Sequence, residues 1–207
     1  MPLSDPAERK LLHERDITLR GYERADGLFD IEARLTDRKT YGFSNDDRGR
    51  IEAGDNLHGM RLRMTVNLDL LIVACEAVTE QGPFAICPSG AETFSGLAGL
   101  SIKSGFLKAA NAIVGGVAGC THLRELLQQV ATTAFQTVGP VRWRQEAAER
   151  ERLSQAAEAS RETQTGNPPP QNNENNPRLL NTCYAYGSDN AVVQRRWPHL
   201  YTGKASS

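Results

Sequence analysis

The chain has 207 residues, with 24 basic and 25 acidic side chains and a formal net charge of −1. That length holds one domain with a real core plus appendages, and the balanced charge argues against a nucleic-acid or anionic-membrane surface. No apolar run reaches the ~20 residues of a membrane span. Residues 1–10 lack the apolar stretch of a secretory signal, so the expected setting is the cytoplasm, where the four cysteines stay reduced.

Residues 1–12 are polar, with two prolines, and read as a loose lead-in or short helix. From Arg15 to Tyr22 the pattern alternates in part, with Ile17 and Leu19 on one side. Asp26-Gly27 gives a hairpin turn signal, and Phe29, Ile31, Ala33 and Leu35 then alternate with polar residues. This reads as an antiparallel hairpin with one solvated face. Residues 36–59 read as a loop with a short strand near Tyr41-Gly42-Phe43. Met60 to Asn67 alternates cleanly, and a turn at Leu68-Asp69 leads into a more apolar strand from Leu70 to Thr79.

Past Gly82-Pro83 the pattern turns helical. Cys87-Pro88 opens a loop into a short helix at Glu92 to Leu97. Lys103 to Val114 has helical spacing through Phe106, Leu107, Ala110 and Ile113. Gly115-Gly116 ends it. A helix capped by Thr121 carries Leu123, Leu126, Leu127, Val130, Ala134 and Val138 on one face, and Gly139-Pro140 is expected to break it. Arg142 to Arg161 is a charged helical stretch with a thin apolar face. Residues 163–177 hold three consecutive prolines among Gln, Asn and Glu, the composition of a disordered linker. Apolar content returns from Leu179 to Tyr201, where Ser188 can cap a short helix reaching Trp197 before Pro198.

The fold class expected is α+β: an antiparallel sheet from residues 13–80, covered on one side by helices from residues 90–138. The domain plan is a core at 1–140, a charged helix at 141–162, a disordered linker at 163–178 and a C-terminal docking segment at 179–207.

The stretch most suggestive of chemistry is Gly115-Gly116-Val117-Ala118-Gly119-Cys120-Thr121-His122-Leu123, a flexible approach to a thiol and an imidazole at a helix start. A helix N-terminus favours a thiolate and suits a metal ligand. Cys87 at a strand-to-helix junction and His58 just before the cleanest strand complete a Cys2His2 set: His58, Cys87, Cys120 and His122. Their spacing is not that of a zinc finger, so any such site is assembled by the fold. Each has a plainer reading as a core thiol or a solvated histidine. Cys75, among Leu71, Ile72, Val73 and Val78, reads as an inert core thiol. Cys183 is a packing residue, a further ligand or a resolving thiol, and Asp55 a turn carboxylate, a ligand or a base. No Walker loop, Gly-x-Gly-x-x-Gly after a strand, Gly-x-Ser-x-Gly or His-Glu-x-x-His is present.

Gly21-Tyr22-Glu23-Arg24, Asp26-Gly27-Leu28, Asp30-Ile31-Glu32, His58-x-Met60-x-Leu62-Arg63 and Gly119-Cys120-Thr121-His122-Leu123 together resemble the bacterial family catalogued as domain of unknown function 2889. The resemblance covers roughly residues 13–138, with a further piece around Leu180 to Tyr201, and implies no activity. More remotely, Met60 to Leu123 is similar in order of parts to iron–sulfur scaffold proteins of the NifU/IscU type. There Cys87 takes the place of the middle cysteine, and Cys120-Thr121-His122-Leu123 that of the last motif. His58 falls where the scaffold has an aspartate, and Asn56 stands where the first cysteine belongs. His122 could supply the lost ligand.

The functional expectation is a cytoplasmic protein that binds zinc or an iron–sulfur cluster through His58, Cys87, Cys120 and His122. The rival is a thiol-dependent enzyme with Cys120 as nucleophile and His58 or His122 as base. A third reading is a non-catalytic accessory protein that docks a protein partner.

Overall fold

The computed structural model describes residues 2–161 and 179–203. Four long strands, β1 (His13–Glu23), β2 (Phe29–Lys39), β5 (Asn56–Val66) and β6 (Ile72–Gln81), form one sheet in the order β1-β2-β5-β6. Every neighbouring pair is antiparallel. A small ribbon, β3 (Phe43–Asn45) with β4 (Gly49–Ile51), occupies the loop between β2 and β5.

The alternation in the sequence sets the two faces. Phe29, Ile31, Ala33 and Leu35 on β2, with Met60, Leu62, Met64 and Val66 on β5, are buried. Arg34, Arg61 and Arg63 between them are exposed. The register pairs Leu35 with Met60 and Ala33 with Leu62, so the inward residues stack in rows across the sheet. The β1–β2 turn needs Gly27, whose φ of +81° is left-handed, and Asp26 accepts a hydrogen bond from the Leu28 amide. At the β5–β6 turn the Asn67 carboxamide oxygen accepts from the amides of Asp69 and Leu71.

Helices cover the apolar face. α1 (Ser89–Glu92) runs into a 3-10 turn, Thr93–Leu97; α2 (Phe106–Val114) and α3 (Thr121–Arg161) follow. Phe94, Leu97, Phe106, Ala110 and Val114 join Leu123, Leu126, Leu127, Val130, Ala134 and Val138 of α3 in one cluster with the inward strand residues. This is the α+β arrangement expected from the pattern. Gly21 lets β1 approach α3 closely, because a Cβ there would collide with the Thr137 side chain.

Several local readings differ from the sequence, three of them in the helices. α2 starts at Phe106 rather than Lys103, behind Gly105, whose φ is +85°. α3 does not stop at Gly139-Pro140 but carries Pro140 inside it. Proline removes one backbone donor, but contacts on both sides of it hold the helix: Val138 and Val141 pack on the core, and Arg142 reaches Asp69 at 2.5 Å. The later helix α4 (Ala191–Arg196) is capped by Asn190, whose side chain accepts from the Val192 amide, not by Ser188.

The described chain divides into two compact units, residues 1–154 and 155–207. The expected linker at 163–178 lies outside the described residues. No helix among the described residues is long and apolar enough to cross a membrane.

Candidate metal centre

The inward rows of the sheet become polar at one end. On β2 the buried series Phe29, Ile31, Ala33, Leu35 continues two residues on to Asp37, whose side chain is only 1 % exposed. The position two before Met60 on β5 is His58, and the position two before Ile17 on β1 is Arg15. Register makes Arg15 the partner of Asp37, and Asp37 the partner of His58. Three strands thus place a guanidinium, a carboxylate and an imidazole in one row, at the edge of the core.

Asp37 is the hub. Arg15 grips both its oxygens, Nε to Oδ1 at 2.7 Å and Nη2 to Oδ2 at 2.8 Å, the bidentate fork that charge-assisted pairs favour. The remaining Arg15 nitrogen, Nη1, donates to Glu125 Oε2 on α3 at 2.8 Å. His58 Nδ1 lies 3.0 Å from Asp37 Oδ2. His122, in the first turn of α3, brings Nε2 to 3.7 Å from the same oxygen, and its ring stacks on His58 with centroids 3.8 Å apart. His13, at the start of β1, places Nε2 3.3 Å from Asp37 Oδ1. Three of the four histidines in the chain therefore surround one buried aspartate.

The start of α3 is fixed from outside the helix. The Cys120 amide donates to the Gly90 carbonyl at 3.0 Å, and the Cys120 carbonyl accepts from the Arg124 amide at 2.9 Å. Cys120, not Thr121, thus occupies the capping position. Gly90 packs against Cys120, where a Cβ would lie 3.3 Å from the Cys120 amide nitrogen, a tight fit.

The electrostatics favour a charged aspartate beside neutral histidines. Burial pushes the Asp37 carboxyl up, but the Arg15 guanidinium and His58 outweigh it and hold the group at about 2. Burial lowers His58, and the facing His122 lowers it further, against the pull of Asp37. His122 is lowered chiefly by burial, again opposed by Asp37. Neutral imidazoles and an ionised carboxylate are the forms that ligate metals.

Asp37, His58 and His122 each offer a ligand atom within 4.8 Å of the other two, the one such group of three or more His, Cys, Asp or Glu among the described residues. Of the four residues expected from sequence, His58 and His122 are brought together here. Cys120 adjoins the group from behind, its Sγ 3.9 Å from His122 Nδ1. Cys87 is half-buried in a turn against Gly82 and is not a member of the group. Asp55 instead holds the turn before β5 by accepting from the Glu52 amide at 3.0 Å. All four cysteines are free thiols, Cys75 buried and Cys183 exposed.

Asp37, Arg15 and His13 were not singled out by the sequence. The signal for Asp37 was the alternation itself: the position after Leu35 on the buried face is a carboxylate, and a charge there calls for a partner.

The family described as a protein of unknown function, DUF2889, matches residues 13–136. The chain belongs to this family. The match takes in all of the sheet, Arg15, Asp37, His58, Cys87, Cys120 and His122. No curated protein and no solved structure matches the chain.

Proposed function

We propose that this member of the family binds one divalent metal ion, zinc in the first instance, through Asp37 Oδ2, His58 Nδ1 and His122 Nε2. The convergence of these three atoms supports the reading. Zinc bonds of ~2.0–2.1 Å at tetrahedral angles put ligand atoms ~3.3 Å apart. The 3.0 Å and 3.7 Å separations from Asp37 Oδ2 bracket that value. Arg15 fits as the outer partner that orients the carboxylate, as ligating carboxylates are commonly held. Two imidazoles and a carboxylate also suit iron(II) or manganese(II). An iron–sulfur cluster is less suited, because clusters rest mainly on thiolates and the grouped atoms include none. The protein is proposed to work in the cytoplasm, with its charged helix available to a protein partner.

A second reading is thiol chemistry at Cys120, favoured by the 3.9 Å approach of its Sγ to His122 Nδ1. Thermal unfolding of metal-stripped protein separates the two. Zinc at a hundred times its dissociation constant should stabilise the fold by about 2.7 kcal/mol, and His122→Ala should remove that gain. A melting temperature indifferent to zinc, cobalt and manganese would sink the metal reading. Alkylation of Cys120 that is fast at mildly acidic pH and depends on His122 would favour the second.

A further inference from the structure

His122 shows its two ring nitrogens to different neighbours. Nε2 faces Asp37 Oδ2 at 3.7 Å, and Nδ1 faces Cys120 Sγ at 3.9 Å. The lone pairs of the two nitrogens diverge across the ring, so an ion held by Nε2 is turned away from the Cys120 sulfur. The thiol then meets the far side of a ligating imidazole, where metal sites commonly keep an orienting partner.

The remaining neighbours leave the shell incomplete. Among the described residues no fourth His, Cys, Asp or Glu joins the group of three. His13 meets the other carboxylate oxygen, Oδ1, at 3.3 Å, and Glu125 is engaged by Arg15. Side-chain exposure rises from 1 % at Asp37 to 13 % at His58 and 26 % at His122. Solvent therefore reaches the group of three chiefly at its His122 end, while the Asp37 carboxylate is shut away. Three protein ligands with solvent access are the mark of catalytic zinc centres, whereas structural ones close the shell with four. A divalent ion on one carboxylate keeps an excess of positive charge, and the Arg15–Glu125 pair adds none. An anionic donor is thereby favoured at the free position.

Resting on the metal reading, we infer that the centre is open. A water completes the shell and exchanges for a small anionic donor, such as a carboxylate or azide, and Cys120 is a positioning residue on His122 rather than a ligand.

Cobalt(II) loaded into the metal-stripped full chain tests this, because its electronic spectrum reports ligand type and exchange. We expect visible bands of a low-coordinate nitrogen and oxygen site, no thiolate-to-cobalt charge-transfer band in the near ultraviolet, and a spectral shift that saturates with added azide. Cys120→Ala should keep the bands and weaken cobalt binding roughly 10-fold, the size of effect that loss of such an orienting partner produces. A charge-transfer band abolished by Cys120→Ala would overturn the inference by making the cysteine a ligand, as would a spectrum that azide cannot move. Unchanged cobalt affinity in Cys120→Ala would remove the positioning role. If equilibrium dialysis shows no bound cobalt at all, the metal reading itself fails, and that outcome is distinct from the others.

Discussion

Asp37 and His58 stand opposite each other on neighbouring strands, and His58 Nδ1 lies 3.0 Å from Asp37 Oδ2. The contact ties the buried end of β2 to the start of β5 and sets which nitrogen of His58 meets the carboxylate. Arg15, the partner of Asp37 on β1, completes the row.

Removing the carboxylate charge should therefore cost more than an ordinary surface change. Asp37→Asn keeps the shape but leaves the Arg15 fork and the His58 nitrogen without their anion. We expect a loss of about 2–3 kcal/mol, somewhat below the range for breaking a fully buried pair, because Arg15 is partly solvated. Urea unfolding of both proteins measures it, and a midpoint shift equivalent to under half a kcal/mol would show that Asp37 is not the hub.

Acid should weaken the metal-free fold in two stages. His58 and His122 are both depressed below their ordinary value of 6.5. The unfolded chain takes up protons at these sites before the folded one does, so stability falls as pH drops below about 6.5, until both folded sites are protonated. Asp37 is depressed from 3.8 to about 2. Its contribution, about 2.5 kcal/mol at ~1.36 kcal/mol per unit, is complete above pH ~4 and lost as pH falls toward 2. Unfolding free energy measured from pH 8 to 3 should show the first decline, and His58→Gln should reduce it. A flat profile between pH 7 and 5 would contradict the assignment.

Native-state thiol labelling should sort the cysteines. Cys183 is exposed and Cys87 and Cys120 are half-buried, whereas burial pushes the Cys75 thiol up to about 12. Cys75 should stay unlabelled until the protein unfolds. Cys75→Ala should cost about 1 kcal/mol, typical of a single change. Fast labelling of Cys75 in the folded protein would contradict its place in the core.

The approach of β1 to α3 is also checkable. Gly21→Ala puts a methyl into the Thr137 side chain, an overpacking change that costs about 1–3 kcal/mol. Thr137→Ala should recover part of that loss in the double variant. Independent, additive effects would mean that the two residues do not touch.

The sheet was legible because period-2 alternation survives in β2 and β5 and because Asp26-Gly27 marks a turn. The site was half legible. His58 and His122 stand out as residue types, but the apolar alternation stops at Leu35 and resumes only at Met60, so the sequence marks the strands as ending and beginning there. Both strands run on, to Lys39 and from Asn56, and the polar residues beyond the apolar run form the candidate site. Arg15 and His13 are invisible without the register that sets β1 against β2. Pro140 misled in the other direction. Local chemistry predicts a break, and the packing of Val138 and Val141 with the Arg142–Asp69 pair overrides it.

Asp37, His58 and His122 are proposed to hold one metal ion. Isothermal titration of zinc into metal-stripped full-length protein measures this, alongside His58→Ala, His122→Ala and Cys87→Ala variants shown by circular dichroism to be folded. One zinc per chain is expected for the parent and for Cys87→Ala, with loss of that binding in either histidine variant. Zinc binding that survives both histidine changes, or disappears with Cys87→Ala alone, would contradict it.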